Sequence, residues 1–313
     1  MKLIIQIPCF NEEKTLPETI QNLPKTVAGF DIVETLVIDD GSTDKTYEKA
    51  LDLGVDHIIQ LGSNRGLANA FKFGLEHALD LGADVIVNTD GDNQYCGEDI
   101  YKLTQPIIDK KADMVIGCRP IKNHPEFTLS KKMLQILGSW TLRKISRTNI
   151  RDATSGFRAF SRETCQRLSI ITQFSYTMET LIQAGNNGLR IKSVDIRINK
   201  KTRDSRLFKN IPEFIFKSTS TILMMFLLYR PGRFFTLCSY FFLIPSLLIG
   251  IRFLYLNYYN PDPSYSSYIP SLILLSILAL TGFLFIAIGI IGIKIKSLRQ
   301  IQHEILYHTR KNK

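Results

Sequence analysis

The chain has 313 residues, a formal net charge of +10 and 45% hydrophobic residues, enough for one large domain or two smaller units with ample core. Its five cysteines, Cys9, Cys96, Cys118, Cys165 and Cys238, form no CxxC pair and have no histidine at ligand spacing, which argues against a disulfide framework and for a reducing compartment. The basic residues adjoin apolar runs and no nucleic-acid motif accompanies them, so no nucleic-acid partner is expected.

In chain order, residues 3–7 form a short apolar run closed by Pro8, too short for a signal sequence, so the N-terminal part is expected to stay in the cytosol. A helix-like stretch covers residues 15–23. A second apolar run, 35–38, is closed by Asp39-Asp40-Gly41-Ser42, and a polar helix-like stretch follows from Thr43. Residues 57–61 are a third strand candidate, 66–81 a well-patterned helix, 85–87 a fourth strand and 114–116 a fifth. Strand, turn and helix in repetition predict an α/β fold with a mainly parallel sheet flanked by helices.

Ligands of such sheets bind beyond the carboxyl ends of the strands. The polar motifs fall there: Pro8-Cys9-Phe10-Asn11-Glu12-Glu13 after the first strand, Asp39-Asp40-Gly41-Ser42 after the second, Asn64-Arg65-Gly66 after the third and Asp90-Gly91-Asp92 after the fourth. Any one of them reads as turn chemistry. Four on one rim read as a site. Two carboxylates one glycine apart at the end of a core strand are costly unless a cation lies between them.

The C-terminal third is different. Residues 234–256 are almost wholly apolar, with Arg252 near the far end, and 269–293 carry no charge. Each run can cross a hydrocarbon core of roughly 30 Å at about 1.5 Å per residue. Arg230 and Arg233 flank one side, Lys294, Lys296 and Arg299 the other, and a Tyr- and Pro-rich loop joins the runs. The positive-inside rule then predicts a two-pass membrane hairpin with the soluble α/β part and both termini cytoplasmic. Residues 211–228 read as amphipathic helices on the inner leaflet, preceded by the basic segment 200–206 near anionic head groups. The expected organisation is a soluble domain over 1–205, juxtamembrane amphipathic helices over 206–233, two transmembrane helices over 234–293 and a basic cytosolic tail over 294–313.

The motifs IPCFNEE, VIDDGSTD, SNRGLANA, NTDGDNQY and RDATSGFR, in this order, resemble family 2 glycosyltransferases of the Rossmann-like GT-A fold. The resemblance covers about residues 1–230 and points to the polyprenyl-phosphate sugar synthases, relatives of dolichol-phosphate mannose and glucose synthases. It implies a nucleotide-sugar donor, UDP- or GDP-linked, a polyprenyl phosphate acceptor (undecaprenyl or dolichyl), Mg²⁺ or Mn²⁺ as cofactor, contact with membrane lipids, and room for self-association through the hairpin. On matching residues it implies that Pro8, Phe10, Glu12, Asp40 and Arg65 meet the nucleotide. Asp90, Asp92 and Gln94 form the metal site, and Arg119 and Lys131 meet the acceptor phosphate. Arg203 and Arg206 close on the diphosphate. Asp152 either orients the acceptor, or acts as a weak base, or caps the TSGF turn.

Elementary chemistry agrees. Mg²⁺ is typically held by one or two carboxylates plus substrate phosphates, and a phosphate acceptor is already ionised near neutral pH, so a strong base is not needed. Direct in-line attack with inversion is expected. Two departures stand out: Gly91 where some relatives have alanine, and Lys131 where arginine is usual, a point charge in place of a fork. The rivals are a processive polysaccharide synthase, whose QxxRW motif is missing around the single Trp140, a transferase acting on a diacylglycerol-type lipid, and a non-catalytic membrane scaffold of the same fold.

Overall fold

The computed structural model describes residues 1–120, 143, 148, 150–170, 176–199, 219–220, 223–224, 226–259 and 268–311. The chain divides into two compact units, one of residues 1–221 with 303–313, the other of 222–302.

The first unit is built on a seven-stranded sheet in the order β3-β2-β1-β4-β6-β5-β7. Its strands are β1 (Lys2–Cys9), β2 (Ile32–Asp39), β3 (His57–Gln60), β4 (Val85–Asn88), β5 (Met114–Cys118), β6 (Arg158–Ser161) and β7 (Ile191–Asp195). All neighbouring pairs are parallel except the two that involve β6, which runs antiparallel to both β4 and β5. Its helices are α1 (Leu16–Gln21), α2 (Thr46–Asp52), α3 (Leu67–Asp80), α4 (Ile100–Ile108), α5 (Arg162–Arg167) and α6 (Tyr176–Asn186).

Central β1 is buried on both faces from Leu3 onward, as a parallel strand covered by helices must be. On one face Leu3, Ile5, Val85, Val87, Val115 and Ala159 pack with Ile100 and Leu103 of α4. Helix α3 buries Ala68, Phe71, Leu75 and Ala78, a stripe at three- and four-residue spacing. Strand β1 does not stop at Pro8, as its sequence suggests, but continues to Cys9. Pairing with β4 ends at Gln6–Asn88, so Pro8 needs no donor on that side.

Arg310, near the chain's end, belongs to this first unit. Its guanidinium donates to the Leu168 carbonyl at 2.7 Å and to Glu76 at 2.8 Å.

The second unit holds most of two long helices, α7 (Pro231–Tyr259) and α8 (Ile269–Lys311). Their apolar stretches have mean hydropathies of 2.0 and 2.7, and only 11% of each is buried. A core helix of a soluble protein would be mostly buried; these two are exposed, and long and apolar enough to cross a membrane. They pack on each other: Ser246 donates to the Leu275 carbonyl at 3.1 Å, and Phe242 stacks on Phe285 at 5.4 Å. The residues expected to form juxtamembrane helices, 206–233, lie largely outside the described residues.

Candidate active site

The site is assembled at the carboxyl ends of β1, β2, β4 and β5. Because β6 is antiparallel, its start lies on that same rim. Arg158 pairs with Asn88 of β4 and with Ile116 of β5. This register brings the loop 152–157 beside the end of β4, although some sixty residues separate them in sequence.

The loops after β1 and β2 are stitched together. Asn11, in the left-handed region at φ 56°, accepts the Thr43 amide at 2.8 Å, and its own amide donates to Ser42 Oγ at 2.9 Å. Glu12 is buried; its amide donates to Thr46 Oγ1 at 2.8 Å and its carboxylate accepts from Thr15 at 2.6 Å. Asp40 is buried and receives the amides of Arg65 and Gly66, both at 2.8 Å. It therefore fixes the entry to α3, while burial raises its pKa in spite of those two donors. Arg65 is exposed, with its guanidinium over the Phe73 ring. Pro8 is the next-to-last residue of β1, just inside this rim, and Phe10 follows the strand, half-buried.

Asp90, Asp92 and Gln94 lie in one turn after β4, all half-buried. The Gln94 amide donates to Asp92 Oδ1 at 3.2 Å. Burial, and then the charge of Asp92, push the Asp90 pKa up to about 7; Arg119 and a hydrogen bond from the Tyr95 hydroxyl pull the other way. The turn tolerates no bulk on either side. A methyl on Gly156 would lie 2.8 Å from the Tyr176 hydroxyl and 2.9 Å and 3.0 Å from the Asp90 oxygens. A methyl on Gly91 would lie 2.8 Å from Cys9 Sγ.

Asp152 is placed very differently. It is fully buried and takes Arg119 in a two-pronged pair, Nε at 2.8 Å and Nη2 at 3.1 Å. The amide and hydroxyl of Thr154 donate to its Oδ1 at 3.2 Å and 3.0 Å. Burial opposes its ionisation, but the Arg119 charge and these donors outweigh that and hold its pKa below the usual carboxylate range. Arg119 Nη2 also donates to Thr154 Oγ1 at 2.8 Å, and Nη1 has no hydrogen-bond partner among the described residues. Lys131, Arg203 and Arg206 lie outside the described residues.

Three structural contributors carried no local signal in the sequence. Tyr95 is buried, accepts the Gly156 amide at 3.1 Å and stacks on Phe157 at 5.0 Å, linking the β4 turn to the 152–157 loop. Tyr176, on α6, accepts from Asn88 Nδ2 at 3.1 Å and stacks on Phe71 at 4.0 Å. Arg158 is fully buried and bonded to the carbonyls of Ala153, Ser155 and Thr177 and to the Thr180 hydroxyl. Burial lowers its pKa to about 10, so it still ties the loop to α6 as a cation.

The chain matches the model of glycosyl transferase family 2 over residues 4–169 and belongs to that family. It is 32% identical over 213 residues to a UDP-N-acetylglucosamine–dolichyl-phosphate N-acetylglucosaminyltransferase of Methanococcus voltae, covering 61% of this chain and 83% of that one. It is 28% identical over 206 residues to an undecaprenyl-phosphate mannosyltransferase of Micrococcus luteus, covering 63% and 83%. Among solved structures, glucosyl-3-phosphoglycerate synthase of Mycobacterium tuberculosis, in complex with Mn²⁺, UDP and phosphoglyceric acid, superposes with a TM-score of 0.56 at 17% identity, covering 72% of this chain and 77% of that one. That likeness is one of fold, the GT-A arrangement the motifs predict.

Proposed function

We propose that this chain is a membrane-bound inverting glycosyltransferase that moves a sugar from a nucleotide-sugar donor, UDP- or GDP-linked, to a polyprenyl phosphate. The observation that carries the reading is the Asp90–Asp92 turn on the rim of a family 2 fold, in a chain that also holds two membrane-length helices. Relatives named for transfer to dolichyl and undecaprenyl phosphate support the acceptor class.

The residues fit a divalent cation. Asp90 and Asp92 disfavour each other's charge, which is the condition a cation relieves. Among the described residues no set of three Asp, Glu, His or Cys side chains gathers around one point. A two-carboxylate site completed by substrate phosphate oxygens is how Mg²⁺ is commonly held, and Mn²⁺ suits the same oxygen donors. Asp90 and Asp92 would hold the ion, with Gln94 beside them, and when bound it neutralises charge developing on the departing diphosphate.

The rest falls to the chain. Pro8, Phe10, Glu12, Asp40 and Arg65 frame the nucleotide on the β1–β2 side, with Asp40 fixing the backbone there. Arg119 is held rigid by Asp152 and Thr154 and offers Nη1 to an anionic phosphate. Asp152 is saturated with donors, so it positions Arg119 and is not a base. Lys131, Arg203 and Arg206 supply further positive charge for the phosphates. By the positive-inside rule, the basic flanks Arg230, Arg233, Lys294, Lys296 and Arg299 support a cytoplasmic side for the catalytic unit and both termini.

The test is radiolabel transfer. Membranes containing the chain, supplied with Mg²⁺ or Mn²⁺, undecaprenyl phosphate and labelled nucleotide sugars, should yield an acid-labile labelled lipid, and Asp92→Ala should remove it, a loss of about 10²–10³-fold. Label in a diacylglycerol product, or no lipid product from a folded preparation with any donor, overturns the reading.

A further inference from the structure

The turn that carries Asp90, Asp92 and Gln94 is held by a residue more than a hundred positions away. Just after β7, the segment 197–199 runs antiparallel to residues 94–96, with a bridge between Tyr95 and Ile198. The Asn199 backbone amide donates to the Gln94 carbonyl at 2.9 Å. Its side-chain Nδ2 then donates to the carbonyls of Asn93 at 3.0 Å and Tyr95 at 3.2 Å, and approaches Asn93 Oδ1 at 3.3 Å. Backbone carbonyls only accept, so the amide orientation of Asn199 is fixed by its neighbours.

Asn93 is the strained position of this turn. It is buried and in the left-handed region at φ 54°, a conformation asparagine tolerates better than most residues. Its Oδ1 also receives Asn22 Nδ2 at 3.2 Å. Asn22, Asn93 and Asn199 thus form a polar clamp around one residue, and the residues on either side of it are Asp92 and Gln94.

We infer that Asn199 is a positioning residue for the carboxylate pair: its side-chain amide, donating to the Asn93 and Tyr95 carbonyls, holds the left-handed turn that aims Asp92 and Gln94. This rests on the proposed metal role of Asp90 and Asp92. Arg197 provides the contrast. It pairs with Asp99 and Glu98 on the same segment, at 2.8 Å and 3.0 Å, and secures the strand without touching the turn.

The experiment measures Mn²⁺ alone, by the loss of the free-ion electron paramagnetic resonance signal, on purified full-length protein in detergent. Wild type is compared with Asp92→Ala, Asn199→Ala, Asn199→Ser and Arg197→Ala, and each variant's melting temperature is recorded. Asn199→Ala should weaken Mn²⁺ binding about tenfold, the scale on which groups behind a metal ligand act. Asn199→Ser, which keeps one donor, should fall between, and Arg197→Ala should lower the melting temperature and leave Mn²⁺ binding unchanged. If both Asn199 variants bind Mn²⁺ like wild type while Asp92→Ala does not, the inference fails and the metal reading stands. Equal weakening by Arg197→Ala also overturns it, because a structural anchor would then explain everything. Should Asn199→Ala not fold, Asn199→Ser decides on the same criterion. If wild type and Asp92→Ala bind Mn²⁺ alike, the metal reading falls and the inference with it.

Discussion

Two acids on the same rim have opposite surroundings. Asp152 is enclosed by Arg119 and Thr154, donors the chain itself supplies, and stays ionised below the usual range. Asp90 is pushed up to about 7, by burial first and then by the second carboxylate it faces, Asp92. A buried acid whose compensation is internal holds structure. One whose neighbour adds charge of the same sign is compensated by something that arrives. The difference separates the half of the rim that positions from the half that binds.

The comparison breaks first at Asp152. Asp152→Ala leaves the Arg119 cation mostly buried with its main partner gone, a situation that costs about 3–5 kcal/mol. Chemical denaturation of the variant should show that loss, and transfer activity should fall because Arg119 is no longer held. A stable Asp152→Ala protein with normal stability and a lost acid limb in its pH–rate profile would instead make Asp152 the base.

Asp90→Asn sharpens the other half. Transfer should drop about 10²–10³-fold, yet the metal-free protein should gain stability at neutral pH. The sign follows from the raised pKa. An acid titrating near 3.9 when unfolded and at about 7 when folded contributes nothing below pH ~4, where both states are protonated. It costs stability increasingly as pH rises towards 7. Wild-type stability in a chelator should therefore fall over that window by something on the order of 1–3 kcal/mol, and Asp90→Asn should flatten the fall. Loss of stability in Asp90→Asn at pH 7 would mean that Asp90 is internally compensated after all.

These two halves were unequally legible in the sequence. The binding half sits in contiguous motifs, because a turn at a strand end gathers its ligands from neighbours such as Asp90 and Asp92, and the apolar runs marked β1 to β5 to within a few residues. The positioning half is built by long-range pairing. β6 is four residues long and opens on an arginine, so no alternation rises above background, and the antiparallel turn it makes is what brings Asp152 to Arg119. Asn199, Tyr95 and Arg158 act on carbonyls and amides, which every residue has and which leave no imprint in side-chain pattern. The two long apolar helices, by contrast, were plain, since length and scarcity of charge are read directly from the sequence.

The smallest effect is expected where the two glycines of the site differ. Gly156 faces the Asp90 oxygens and the Tyr176 hydroxyl, groups that hold the site and have little freedom to retreat. Gly91 faces one sulfur. Cys9 is buried with its thiol pushed to high pKa by burial, so the sulfur is packing, not chemistry. Gly91→Ala would set a methyl 2.8 Å from Cys9 Sγ and should cost about 1–2 kcal/mol by overpacking. Cys9→Ala alone should cost about 1 kcal/mol through the gap it leaves. In the double variant the new methyl enters the space the sulfur vacated, so the two losses should not add, with a coupling on the order of 1 kcal/mol. Denaturation midpoints of the four proteins complete that cycle, and transfer activity should survive in the double variant because neither metal carboxylate moves. Simple additivity would show that the turn shifts as a body away from β1, and that Gly91 is required by the path of the backbone and not by the thiol beneath it.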